Sequence, residues 1–154
     1  MNIFETKLPK INYIIVAVIL ASLLSFINGY ILIKLFVDIN QSNETPIDLI
    51  SPVTVFGVVI FSPVVETLLM FLIMEFLNWL RLYNKFFLVL LCTVLMCLLH
   101  SLVSIYWGFF VYLAFVVFSV AYQTWRSKSI KDALIVVFWI HSVYNAIMIS
   151  VALT

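Results

Sequence analysis

Four side chains that can move protons or hold an oxyanion interrupt otherwise apolar sequence: Glu66, His100, His141 and Asn145. They lie on three separate apolar stretches. An ionisable group in hydrocarbon costs about 2.5–3.5 kcal/mol even on a lenient insertion scale, so such residues face a bundle interior and mark a site. A carboxyl and two imidazoles are sufficient to take a proton from a reacting group and return it. His141 and Asn145 are four residues apart and project from one helix face. An imidazole N–H and an amide N–H pointing the same way can stabilise a developing oxyanion. The same residues also have plainer uses. A protonated Glu can hydrogen-bond between helices, and a His or Asn can staple two helices together. Pro63, three residues before Glu66, removes the N–H that would reach the Val59 carbonyl and predicts a kink there.

The elements that must position these groups follow from composition. Of 154 residues, 66% are hydrophobic and 10% charged. Soluble domains are about 45–50% apolar and about 25% charged, so a water-soluble globule is excluded. About 20 apolar residues cross a bilayer. One apolar run covers 11–37 and a second 52–77, separated by a polar loop at 38–51. The stretch 86–125 is long enough for two spans, with a turn expected near 104–108, where Gly108 would break the helix and Tyr106 and Trp107 suit the headgroup level. The last run is 133–152. The fold class expected is therefore all-α: a polytopic transmembrane bundle of five spans. The first run is too long for the apolar core of a signal peptide and reads as an uncleaved anchor.

Basic residues test this count. With the N-terminus cytoplasmic, the inner segments carry Lys7, Lys10, Arg81, Lys85, Arg126, Lys128 and Lys131, leaving only Lys34 at an outer span end. The loop after the first span holds Asp38, Glu44 and Asp48 instead. This is the distribution the positive-inside rule expects. The chain reads as a single membrane domain over 1–154, with an anchor span and outer loop at 1–51 and a core at 52–154. Its net charge is +1, and it has neither a basic stripe nor a Gly-rich phosphate loop, so no nucleic-acid partner is expected. Cys92 and Cys97 share one apolar run and read as small hydrophobes rather than a disulfide.

Other polar residues carry weaker signals. Glu75 lies nine positions after Glu66, on the opposite helix face, and reads as a wetted span end. Thr67, Ser101, Ser104 and Ser142 can bond carbonyls of their own helices. No nucleophile elbow of the Gly-x-Ser-x-Gly type is present, and Asn12 and Asn28 have no evident role. Glu66, His100 and His141 could ligate zinc with an open position. His-Glu-x-x-His is absent, however, and Asn is a poor zinc ligand, so no cofactor is expected and zinc is the alternative.

Three short motifs carry a resemblance. Pro63-Val64-Val65-Glu66-Thr67-Leu68-Leu69-Met70-Phe71 reads like Pro-x-x-Glu-Glu-x-x-x-Arg. Met96-Cys97-Leu98-Leu99-His100 reads like Phe-x-x-x-His. His141-Ser142-Val143-Tyr144-Asn145 matches His-x-x-x-Asn. In this order, each within an apolar span, they make residues 52–150 resemble the CPBP family of intramembrane endopeptidases, which includes the type II CAAX prenyl proteases and bacteriocin-processing relatives. A basic-polar turn before the third motif, here 126–131, is also typical of it. The chain departs from the pattern at Thr67 (family Glu), Phe71 (family Arg) and Met96 (family Phe).

The resemblance implies a mechanism. Glu66 would be general base and then proton donor to the leaving amine. His100 would position the water, and His141 and Asn145 would form the oxyanion hole. It also implies a peptide or protein substrate, membrane lipid as surroundings and a bacterial plasma membrane as location. Two further readings stand beside it: a proteolytically silent binding or bacteriocin-immunity protein of the same fold, and a small proton-coupled or metal-handling carrier. Against the carrier, no pair of Gly-interrupted helices is present.

Overall fold

The computed structural model describes residues 4–36, 51–81 and 84–152; all of the expected outer loop at 38–51 except Ser51 lies outside them. The described residues form helices α1 (Lys10–Phe36), α2 (Pro52–Phe56), α3 (Ser62–Trp79), α4 (Lys85–Ser101), α5 (Ile105–Arg126) and α6 (Ile130–Ala152), with a π-helical segment, Gly57–Phe61, joining α2 to α3. Four stretches are long and apolar enough to cross a membrane: Lys10–Lys34, Pro52–Trp79, Tyr106–Arg126 and Ile130–Ala152. The fifth, α4, is equally apolar but has only 17 residues. The protein is a helical integral membrane protein, and the five expected spans correspond to these five helical stretches.

Local chemistry sets the helix starts. Ser51 caps α2, its hydroxyl accepting from the Thr54 N–H at 3.1 Å, and Pro52 follows, where a missing N–H costs nothing. Asn84 caps α4, its Oδ1 accepting from the N–H groups of Phe86 and Phe87 at 3.0 and 3.2 Å. Arg81 takes a left-handed φ of 59°, and its N–H reaches the Asn78 carbonyl, which ends α3 and turns the chain.

Helix α5 is the centre of the bundle, with Ala114, Phe115, Phe118, Ala121, Tyr122 and Trp125 all buried. Its turn from α4 differs from expectation. The break falls at 102–104, and Gly108 is helical. Gly108 instead permits close approach: a Cβ there would lie 2.6 Å from the Cys97 carbonyl oxygen and would collide with the Ser101 hydroxyl. The glycine serves α4–α5 packing, not chain reversal.

One end of the bundle gathers the basic residues. Lys10 at the start of α1 forms an ion pair with Asp132 of α6. The Lys128 ammonium donates to the Thr6 carbonyl at 3.4 Å, and Phe4 packs edge-on against Phe86 at 5.1 Å. These contacts hold the N-terminal segment, the start of α4 and the α5–α6 turn together. The alternation of basic links inferred from sequence agrees with this placement.

Candidate active site

Glu66 is the fifteenth residue of the 28-residue stretch Pro52–Trp79, and His141 is the twelfth of the 23 in α6. Both therefore sit midway along their spans. His100 is the penultimate residue of α4, and its ring reaches Glu66 on α3. The Glu66 Oε2 atom lies 3.4 Å from His100 Nε2 and 3.5 Å from His141 Nε2. Both imidazoles converge on one carboxylate oxygen. The other oxygen, Oε1, accepts a short hydrogen bond from the Ser62 hydroxyl, one helical turn earlier.

The three residues line a cavity of about 310 Å³, which Ser62, Asn145 and Trp107 also border. Aromatic and aliphatic side chains share most of its remaining wall. The Phe118 ring lies 4.6 Å from the His141 ring, and the Phe115 ring 5.0 Å from that of His100. His141 is buried, while Glu66 and His100 each keep some exposure. His100 Nδ1 donates to the Met96 carbonyl at 2.8 Å. A carbonyl only accepts, so Nδ1 carries the hydrogen and the Nε2 side faces Glu66. Attraction between Nε2 and Oε2 then requires one proton shared by the pair, as imidazolium–carboxylate or as imidazole–carboxylic acid. Such a pair can both accept and donate a proton.

Backbone carbonyls beside the site are also accounted for. In the π segment the Ser62 N–H reaches the Gly57 carbonyl. The next π-type donor in register would be Pro63, which has no N–H, and Pro63 equally cannot serve Val59 in α-register. The Val58 and Val59 carbonyls accept from α6 instead: Asn145 Nδ2 at 2.9 Å to Val58, and Ser142 Oγ at 2.6 Å to Val59. In lipid each unpaired backbone group costs several kcal/mol, so these two side chains hold the distorted backbone in place. The kink expected from Pro63 is thus a π segment stitched to α6.

Sequence reasoning selected Glu66, His100, His141 and Asn145, and the structure brings all four to one cavity. It redistributes their bonds. His141 Nε2 faces Glu66, and one amide hydrogen of Asn145 is used on Val58, so the oxyanion pair is not standing free; Asn145 retains its second N–H. Two contributors were missed. Ser62 orients Glu66, and its i, i+4 spacing was a usable signal. Ser142 was read as bonding its own helix, whereas it bonds across to Val59. Ser101 does bond its own helix, at Cys97, and Asn28 gains a role by donating to the Phe109 carbonyl at 2.6 Å. The Thr67 hydroxyl is buried with no partner among the described residues.

Glu75 keeps partial exposure near the end of α3, as expected of a span end, and is also paired. Arg126 grips it bidentately, Nε to Oε1 at 2.5 Å and Nη2 to Oε2 at 2.7 Å, and the Tyr122 hydroxyl donates to Oε1 at 2.8 Å. Cys92 and Cys97 are free thiols. Among the described residues, no three His, Cys, Asp or Glu side chains are arranged as a metal-binding group. Compared with family models, curated proteins and solved structures, the chain has no significant match.

Proposed function

We propose that this protein is an intramembrane endopeptidase of the CPBP type, in which Glu66 and His100 activate a water molecule for attack on a peptide carbonyl. The observation that carries the reading is the convergence of His100 and His141 on Glu66 Oε2, 3.4 and 3.5 Å away, in a cavity midway along the spans. Glu66 takes the proton of the attacking water, and His100 shares it through Nε2. Glu66 then returns it to the leaving amine. An imidazole N–H of His141 and the second N–H of Asn145 favour the oxyanion. Ser62 holds the carboxyl in register. The substrate is a peptide or protein reaching the cavity from the membrane, and the host membrane is a bacterial plasma membrane with the lysine-rich end cytoplasmic.

A second reading is a proteolytically silent relative that binds a partner or confers bacteriocin immunity. It is favoured by Phe71, which replaces the family's Arg, and by the engagement of Asn145 with Val58. One experiment separates the two. Purified protein in detergent is incubated with a peptide and protein library, alongside Glu66→Gln and a chelator arm. Cleavage by the parent but not by Glu66→Gln, undiminished by chelator, is the expected result. Cleavage abolished by chelator would transfer Glu66, His100 and His141 to a zinc site. A well-folded protein without cleavage, whose partner binding survives Glu66→Gln, favours the silent relative.

A further inference from the structure

Away from the cavity, α1 and α6 enclose an apolar groove of about 650 Å³, lined among others by Ile11, Ile15, Ile19, Ile135, Trp139 and Val143, with Lys10 at its mouth. From Lys10 to Ile19 is nine residues, about 14 Å of helix. A bilayer's hydrocarbon core is about 30 Å thick, so the groove runs from one membrane face to the midplane. That is the reach of a single acyl chain. A partner helix would need a furrow crossing the whole bilayer.

The mouth is cationic. The ammonium groups of Lys10 and Lys128 lie 5.7 and 4.0 Å from the centre of one ring, that of Trp125. Lys131 is the neighbour of Asp132, the ion-pair partner of Lys10. Glu5, Thr6, Lys7, Ser127 and Lys128 are among the residues bordering a second cavity of about 820 Å³. Four lysines (7, 10, 128, 131) face two carboxylates (Glu5 and Asp132), a local balance of +2. The Trp125 indole N–H is buried and has no acceptor among the described residues. The end of the groove thus offers cations beside a space of headgroup size.

We infer that this groove binds one anionic glycerophospholipid from the leaflet at the lysine-bearing end, with an acyl chain along Ile11–Ile19 and the phosphate among Lys10, Lys128 and Lys131. The apolar furrow selects a lipid and the lysines select its charge. A basic pocket between helices is a recognised form of anionic-lipid site. The inference is independent of the peptidase reading, because none of these residues borders the Glu66 cavity.

The test is lipid retention. The full chain is exchanged into detergent containing equal phosphatidylglycerol and phosphatidylcholine, and native mass spectrometry counts the lipids kept. The expected result is one phosphatidylglycerol per chain, retained in preference to phosphatidylcholine. Lys128→Gln with Lys131→Gln leaves the Lys10–Asp132 pair intact and should weaken that preference roughly fivefold per lysine. Ile15→Trp fills the groove and should remove the bound lipid while helicity by circular dichroism stays unchanged. Equal retention of the two lipids, or undiminished phosphatidylglycerol in both variants, overturns the inference. So does full displacement by glycerol phosphate, since that outcome makes the groove irrelevant.

Discussion

Two glutamates on one helix, nine residues apart and on opposite faces, have opposite partners. Glu75 faces a guanidinium that holds both of its oxygens, with a tyrosine hydroxyl adding a third bond. Arginine keeps its proton at any physiological pH, so this carboxylate is a fixed charge locking α3 to α5. Glu66 faces two imidazoles, which unlike a guanidinium can give up a proton, and it borders a cavity rather than a rim. The difference lies in the partner, not in the carboxyl. A carboxylate saturated by Arg is a fastener; one that shares a proton with His can work as a base.

The sharpest way to break this contrast is to make the same substitution at both positions. Glu66→Gln should cost about 10²–10⁴-fold in cleavage rate with the thermal midpoint little changed. If both variants lose activity in proportion to folded protein, the distinction fails. Gly108→Val tests the frame that holds His100. The new side chain would press on Cys97 and Ser101, moving the end of α4, and displacement of a catalytic group by about 1 Å can cost about 10²-fold. Cleavage should fall toward that level with a stability loss of about 1–3 kcal/mol; an unchanged rate would detach His100 from the chemistry. Glu75→Gln leaves Arg126 unpaired in a partly exposed site. It should cost about 1–3 kcal/mol in denaturation, with cleavage per folded molecule unaltered. The smallest effect belongs to Ser142→Ala. One interhelical hydrogen bond within a membrane averages about 0.6 kcal/mol, so the thermal midpoint should shift slightly, and any larger loss would make the π segment a critical joint.

Much of this was legible in the sequence, because a membrane punishes polar groups without a purpose. Glu66, His100 and His141 stood out against hydrocarbon, and the apolar runs together with the basic links gave five spans. What was not legible depended on distances between helices. Glu75 showed only as a span end because its partner, Arg126, lies 51 residues away and was counted only as an inner-side charge. Gly108 looked like a breaker because glycine's freedom is a local property, while its use here is to admit a neighbouring helix. Ser142 pointed to its own backbone by rule, but Pro63 had freed a better acceptor in the π segment. The turn at 102–104 contains no strong breaker, so its position was set by packing rather than composition.

The 17-residue length of α4 has a consequence for the surroundings of the protein. At about 1.5 Å per residue it measures about 26 Å, short of a hydrocarbon thickness of about 30 Å. Thinning of the bilayer beside the α4–α5 turn is one way to relieve such a mismatch, and it would bring the water boundary closer to His100. Membrane thickness then becomes a control on hydration of the site. Cleavage in vesicles should be fastest with short-chain lipids and should slow as chains lengthen, at constant headgroup and constant fluidity.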